Sequence, residues 1–236
     1  MHVNVVIVAA GKGTRLQSGL PKPFLSVAGR PILVHTLRRF TPIEMVRRIV
    51  VVVAAERETL CQEVLHTHGP WPQPITVIHG GAERQDSVRN GLAALETQCE
   101  VVVIHDAARP FISVAAIQRS IDAAAETGSA VVATPVRDTI KRADAQHTIR
   151  ETVSRHDLWL AQTPQTFRVE VIRAAHRWAQ QRGIAGTDDA TLVEQMGRPV
   201  RLVPGDVLNF KITTPDDLAL AQAVLQAPPV GTVHQV

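Results

Sequence analysis

Tyrosine is absent from the 236 residues, and the aromatic complement is three tryptophans and five phenylalanines. A protein that grips single-stranded nucleic acid by stacking needs aromatics interleaved with cations. No basic run here carries them, so nucleic acid is not an expected partner. Cysteine is nearly as scarce. Cys61 and Cys99 stand far apart in the chain and match neither a zinc-ligand spacing nor a disulfide framework, which points to thiols in a reducing cytoplasm. No apolar run reaches the roughly 20 residues of a membrane-spanning helix. Met1 leads directly into a short strand without a basic leader or cleavage site, so neither membrane anchorage nor secretion is expected. Strong charge imbalance is lacking too, with a net charge of +3. The pI of about 9.3 is high mainly because little titrates between histidine and lysine. A modest cationic excess suits a small anionic ligand as well as a large one.

Apolar, β-branched runs recur between amphipathic stretches. VNVVIVAA is followed by PILVHTLRRF, RIVVVVA by ERETLCQEVLHTH, ITVIHG by RQDSVRNGLAAL, and VVVIHD by VAAIQRSIDAAAE, before AVVATP. Continuous apolar strands alternating with helices predict an α/β fold, a doubly wound and mostly parallel sheet covered on both faces. The chain length suits one domain, residues 1–236. Right-handed crossovers then place the loops that follow the strands along one sheet edge, where ligands bind. The rhythm breaks at 136–167, a polar, threonine-rich segment with β-prone pieces DTIKR and HTIRETV around an ADAQ turn. It reads as a projecting β-hairpin arm. Isolated hairpins are marginal in water, so the arm is expected to pack on a second copy of the chain as a homodimer. Downstream, helices are expected near 169–181 and from Asp188, a strand at VRLVP, and a last helix with Thr214 as N-cap, Pro215 at its first position and Asp217 closing the cap.

The loop after the first strand, AAGKGTRLQSGLPKPFL, combines glycines, prolines and three cations. Glycines let backbone N–H groups approach a phosphate closely. The Walker pattern is absent, and Leu16 occupies the third glycine position of the dinucleotide fingerprint. A solvated surface loop is the plain alternative. Pro21 and Pro23, however, flank Lys22 and lower the entropy cost of holding its ammonium in one place, which a merely solvated lysine does not need. Asp106 ends the run VVVIH at the ligand-bearing edge, where it either caps the next turn or serves a ligand. His105 has no partner histidine and reads as structural.

The motifs AAGKGTRL, PKPFLSVAGRPIL, GGAERQDSV, HDAARPF, PVRDTIKR, TPQTF, TDDA and NFKITTPDDLALA, in this order, resemble the 2-C-methyl-D-erythritol 4-phosphate cytidylyltransferase family of the non-mevalonate isoprenoid route. The resemblance implies a Rossmann-like nucleotidyltransferase that transfers CMP from CTP to methylerythritol phosphate with Mg²⁺ or another divalent cation. It implies catalytic roles for Arg15, Lys22, Arg155 and Lys211. CTP would be bound by Ala9, Ala10, Gly11, Gly13, Gly80, Gly81, Ser87, Asp106 and Ala107, with Asp106 also a metal ligand. The sugar phosphate would meet Arg109, Thr139, Arg155, Thr163, Thr187 and Lys211. Where similar enzymes often carry GGDER, this chain has Ala82. A cytidylyltransferase for ribitol phosphate and a non-catalytic nucleotide-binding module are the alternative readings.

Overall fold

The computed structural model describes residues 1–11 and 20–227. In chain order it contains β1 (Val3–Val8), a short ribbon β2 (Ser26–Val27) and β3 (Arg30–Pro31), α1 (Ile32–Phe40), β4 (Val46–Val53), α2 (Glu58–His68), β5 (Ile75–His79), α3 (Arg84–Ala93), β6 (Val101–Asp106), α4 (Val114–Thr127) and β7 (Ser129–Pro135). The C-terminal half adds β8 (Ile140–Ala143), β9 (Ile149–Val153), β10 (Trp159–Arg168), α5 (Val169–Arg182), α6 (Asp189–Gln195), β11 (Arg201–Pro204) and α7 (Pro215–Gln226).

Seven strands form the central sheet in the order β11-β7-β10-β6-β1-β4-β5. All run parallel except β10, which lies antiparallel between β6 and β7. Alternation along β1 builds two cores. Val3, Val5 and Ile7 face a layer of α1, α2 and α4 with Leu33, Leu37, Phe40, Cys61, Ile117 and Ile121. Val6 faces the opposite layer of α3, α5 and α6, with Val88, Leu92, Ile172 and Val193. Truncating one such buried isoleucine or leucine to alanine costs about 2–5 kcal/mol, so each face anchors its helices independently of any ligand. A third cluster, Val27, Ile32, Phe111, Ile212 and Ala221, seats α7 beside the β2–β3 ribbon.

The parallel register aligns the C-terminal ends of the strands. Val8 is level with both Val52 and Asp106. The loops starting at Ala9, Gly80 and Ala107 therefore open on one edge, as right-handed winding requires.

Residues 140–153 form the β8–β9 hairpin, whose turn is held by Asp144 Oδ1 accepting from the backbone N–H groups of Gln146 and Thr148 at 2.9 Å each. The expectation that the arm runs through 136–167 is corrected at its C-terminal end. Residues 159–168 are β10, inside the central sheet, with Gln165–Arg168 opposite Ile104–Val101. Polarity misleads here because the side chains of Gln162, Thr163, Gln165 and Thr166 are buried yet hydrogen-bonded. Satisfied polar groups are tolerated in a core that would reject unpaired ones. Pro164 falls where the pairing with β7 jumps, between Ala161 and Gln165.

Candidate active site

Asp106 ends β6 with a carboxylate that is almost fully buried and surrounded by cations. Lys211 Nζ lies 2.7 Å from Oδ2, Arg84 Nε 3.3 Å from Oδ1, and Arg109 Nε 3.9 Å from Oδ2. Burial alone would raise the Asp106 pKa. The charges of Arg84 and Lys211 outweigh it and hold the carboxyl well below the usual range, so Asp106 is an anion at neutral pH. Arg109 is pushed down by its own burial, against which Asp106 acts.

The strand behind the cluster fixes Asp106. Its backbone N–H donates to Thr163 Oγ1 at 3.1 Å, and that hydroxyl also lies 3.1 Å from His105 Nδ1. The other ring nitrogen, His105 Nε2, is 3.0 Å from the Arg109 carbonyl oxygen. A carbonyl only accepts, so Nε2 carries the proton and Nδ1 accepts from Thr163. Burial lowers the His105 pKa to about 4, which keeps the ring neutral. His105 is thus a brace, as its sequence context suggested. Thr163 sits beneath the site, 4% exposed, with its hydroxyl committed to Asp106 and His105.

Lys211 reaches this place because the segment ahead of α7 is stitched to the β6 loop. Ile212 N–H donates to the Ala108 carbonyl at 2.9 Å, and Arg109 Nη1 donates to the Asn209 carbonyl at 2.7 Å. The next residue serves Lys22, whose Nζ donates to the Thr213 carbonyl at 3.2 Å across 191 positions of sequence. Lys22 itself opens a single 3-10 turn, Lys22–Phe24, in which buried Pro23 and Phe24 anchor the backbone. Thr213 is fixed in turn by Asp217, whose Oδ2 accepts from Thr213 N–H at 2.7 Å, Thr213 Oγ1 at 2.8 Å and Thr214 N–H at 2.8 Å. The α7 capping box is therefore joined through Thr213 to Lys22.

Across the sheet edge, the loops starting at Ala9 and Gly80 touch. A Cβ on Gly80 would lie 2.6 Å from Ala10 Cβ and 2.6 Å from Ser87 Oγ, and one on Gly81 2.3 Å from Asp86 Cβ. Only glycine permits this approach. Gly80 N–H donates to the Val53 carbonyl at 2.7 Å and Gly81 N–H to Ser87 Oγ at 3.1 Å. Ser87 in turn donates to the Glu83 carbonyl at 3.1 Å. Both glycine N–H groups are thereby used internally, which leaves their carbonyls as the groups suited to accept from a ligand amine.

The remaining expected residues are distributed as follows. Ala107 is buried in the Asp106 loop, and its N–H donates to the Val8 carbonyl at 3.0 Å. Gly13 and Arg15 lie outside the described residues. Thr139 and Arg155 are exposed on the arm, where Arg155 donates to the Arg137 carbonyl. Thr187 is exposed ahead of α6, with its hydroxyl 3.2 Å from that of Thr191. Among the described residues no hydrogen bond or ion pair joins these three to Asp106.

Arg84 was not among the residues singled out from sequence, yet it links Asp106 to buried Asp189, whose Oδ2 accepts from Nη1 at 2.8 Å. The available signal was positional, since Arg84 is the first residue of a helix that starts at the ligand-bearing edge. No group of three His, Cys, Asp or Glu side chains able to hold a metal is present among the described residues. The donor set fits a divalent ion carried mainly by phosphate and water, for which one carboxylate is enough. Lys211 is 41% exposed, so its ammonium is accessible to an incoming phosphate while paired with Asp106.

Comparison with known proteins identifies the relatives of the chain. The family model for IspD, 2-C-methyl-D-erythritol 4-phosphate cytidylyltransferase, matches residues 3–227. The enzyme of that name from Caldanaerobacter subterraneus subsp. tengcongensis is 46% identical over 226 residues, 96% of this chain and 100% of the relative. A crystal structure of 2-C-methyl-D-erythritol 4-phosphate cytidylyltransferase from Thermus thermophilus is 36% identical with a TM-score of 0.81, covering 96% of this chain and 100% of that one. The 4-diphosphocytidyl-2C-methyl-D-erythritol synthase of Anaerococcus prevotii superposes with a TM-score of 0.85 at 31% identity and 96% coverage of both chains.

Proposed function

This chain belongs to the 2-C-methyl-D-erythritol 4-phosphate cytidylyltransferase family, and from that premise we propose how its residues divide the reaction. The enzyme transfers CMP from CTP to 2-C-methyl-D-erythritol 4-phosphate, giving 4-diphosphocytidyl-2-C-methyl-D-erythritol and pyrophosphate in isoprenoid biosynthesis. An oxygen of the acceptor phosphate attacks the α-phosphorus of CTP. The bond from that phosphorus to the oxygen bridging the β-phosphate breaks, and pyrophosphate leaves. No strong base is required, because a phosphomonoester with a second pKa of about 6 is already mostly dianionic at neutral pH. The obstacle is repulsion between two anions, so positioning and electrostatic stabilisation carry the rate.

In this reading Ala9, Ala10, Gly11 and Gly13 cradle the nucleotide, and Arg15 and Lys22 stabilise the crowded α-phosphate. The carbonyls of Gly80 and Gly81 accept from the cytosine amine, the donor that distinguishes this base. Ser87 supports that turn, and Ala107 closes the other side. Lys211 and Arg109 receive the acceptor phosphate, while Thr187 belongs to the rim. Thr163 acts from beneath by fixing Asp106. A divalent cation, Mg²⁺ here, would be held by Asp106 and the triphosphate, and when bound it supplies neutralising charge on the phosphate oxygens.

Thr139 and Arg155 sit on the arm, and a second copy completes the site by presenting its own arm. Exposed Leu158, Trp159, Leu160, Val207 and Leu208 supply the apolar surface for such a homodimer. A strictly monomeric enzyme with full activity would refute this arrangement. The reaction belongs in the cytoplasm, in keeping with two unpaired, buried thiols. No helix among the described residues is long and apolar enough to cross a membrane.

One observation carries the proposal. Lys22, on the proline-flanked loop, donates to the Thr213 carbonyl, two residues along the chain from Lys211, whose own ammonium pairs with Asp106 at the end of β6. Pyrophosphate release from CTP with Mg²⁺, measured with methylerythritol phosphate and ribitol phosphate in parallel, tests it. Turnover with the first acceptor and little with the second is expected. Turnover with neither would leave a nucleotide-binding module.

A further inference from the structure

Asp189 opens α6 behind the cluster and is 1% exposed. Its Oδ2 holds Arg84 Nη1 at 2.8 Å while Arg84 Nε reaches Asp106 at 3.3 Å, so one guanidinium spans two carboxylates. Asp189 Oδ1 faces His176 Nε2 at 3.5 Å. Its backbone is fixed as well. Gln165 Oε1 accepts from the N–H groups of Asp189 and Ala190 at 3.0 Å each, and Gln165 Nε2 donates to Asp188 Oδ2 at 2.6 Å. Asp188 Oδ1 caps the helix through Thr191 N–H at 2.9 Å. Gln165 stands on β10 opposite Ile104, so the strand that ends in Asp106 and the start of α6 share one frame.

Joining α3 to α6 does not by itself call for a buried ion pair, since apolar side chains of similar volume serve packing equally well or better. What the charged chain adds is direction. With Asp189 engaging Nη1, Arg84 presents Nε to Asp106. Without that second carboxylate the guanidinium fork would turn fully onto Asp106, in the two-pronged geometry arginine prefers, and compete with Lys211 for it. We propose that Asp189 is a positioning residue for phosphoryl transfer, acting through Arg84 to keep Asp106 aligned with Lys211. The inference rests on the reading of Asp106 and Lys211 as part of the reacting site.

The experiment compares wild type, Asp189→Asn, Asp189→Glu, Arg84→Gln, the Asp189→Asn/Arg84→Gln double variant and Lys211→Ala, with kcat from pyrophosphate release and CTP affinity from calorimetry. Asp189→Asn is expected to lower kcat about tenfold or more, because small displacements of a positioned group are costly, while CTP affinity changes less than about threefold. Asp189→Glu restores part of the rate. The double variant is no slower than Arg84→Gln alone, as two residues acting in series require. A wild-type kcat in Asp189→Asn, or losses that multiply in the double variant, would overturn the inference. Should Asp189→Asn fail to fold, Arg84→Lys decides, since it keeps the charge but cannot span both carboxylates. A kcat as low as that of Arg84→Gln supports the proposal and a wild-type kcat overturns it. Lys211→Ala separates the two levels. If it turns over normally, the site reading fails, whereas a crippled Lys211→Ala beside an unaffected Asp189→Asn defeats only the role of Asp189.

Discussion

Gly80→Ala is a single-methyl perturbation whose consequences follow from two distances. The new Cβ would stand 2.6 Å from Ala10 Cβ and 2.6 Å from Ser87 Oγ, where ordinary contacts begin at 3.4 Å, so each neighbour must yield by about 0.8 Å. Ala10 has no rotatable side chain, so its relief is backbone movement. Ser87 cannot turn away without losing the bond from Gly81 N–H and the one to Glu83, each 3.1 Å. Both displaced segments belong to the proposed nucleotide cradle. Overpacking of this kind costs about 1–3 kcal/mol, which for a chain of this size lowers Tm by roughly 2–4 °C per kcal/mol. The catalytic effect should be larger, because displacements near 1 Å cost up to about a hundredfold in rate. We therefore expect kcat/KM for CTP to fall about 10- to 100-fold, with weaker CTP binding by calorimetry. Gly183→Ala is the control. Gly183 has φ +63° at the end of α5 with nothing within 4 Å, so alanine there should cost about 1 kcal/mol of stability and leave kcat/KM unchanged. A Gly80→Ala enzyme that binds CTP within twofold of wild type would refute the reasoning.

Three other outcomes are expected. Asp217→Ala leaves the Thr214 cap but removes the side-chain half of the α7 capping box and the bonds to Thr213, and should destabilise the fold by about 1 kcal/mol in urea unfolding. It should also raise the KM for CTP several-fold, because Thr213 holds Lys22; a pure stability loss would argue against that link. His105 has a folded-state pKa of about 4 against an ordinary 6.5, so the unfolded chain takes up the proton first as pH falls. Stability is then lost progressively from pH 6.5 toward 4, by about 3 kcal/mol from this group. Urea unfolding of wild type and His105→Gln over that window should show a shallower slope in the variant, and parallel slopes would contradict the assignment. Burial pushes the Cys61 and Cys99 thiols up to about 12 and about 11, so a thiol reagent at pH 8 should label neither until denaturant is added. Rapid labelling of the native protein would contradict that burial.

Much of this architecture was legible because the parallel strands are written as unbroken apolar runs, such as VVVI before His105 and IVVVV from Ile49. The α7 cap was legible for a local reason, since Thr214, Pro215 and Asp217 satisfy one another without distant help. β10 was not. Its buried glutamines and threonines depend on partners elsewhere, Asp188, Asp206 and Ser120 among them, which periodicity does not reveal. The candidate site divides in the same way. Asp106 was marked by its position after a strand, whereas Gly80, Gly81, Lys211 and Arg109 were reached through the family resemblance. The convergence of Lys211 and Arg109 depends on bonds such as Ile212 to Ala108 and Arg109 to Asn209, formed between segments distant in sequence. Arg84 escaped notice because its role exists only once Asp106 and Asp189 lie on either side of it.

The central claim is that loop and C-terminal cations converge on the reacting phosphorus of CTP. A crystal structure of the enzyme with CTP and Mg²⁺ tests it directly. The account predicts Arg15 and Lys22 in hydrogen-bonding contact with oxygens of the α-phosphate, with Lys211 facing the acceptor side. A bound triphosphate with both Arg15 and Lys22 turned to bulk solvent would contradict it.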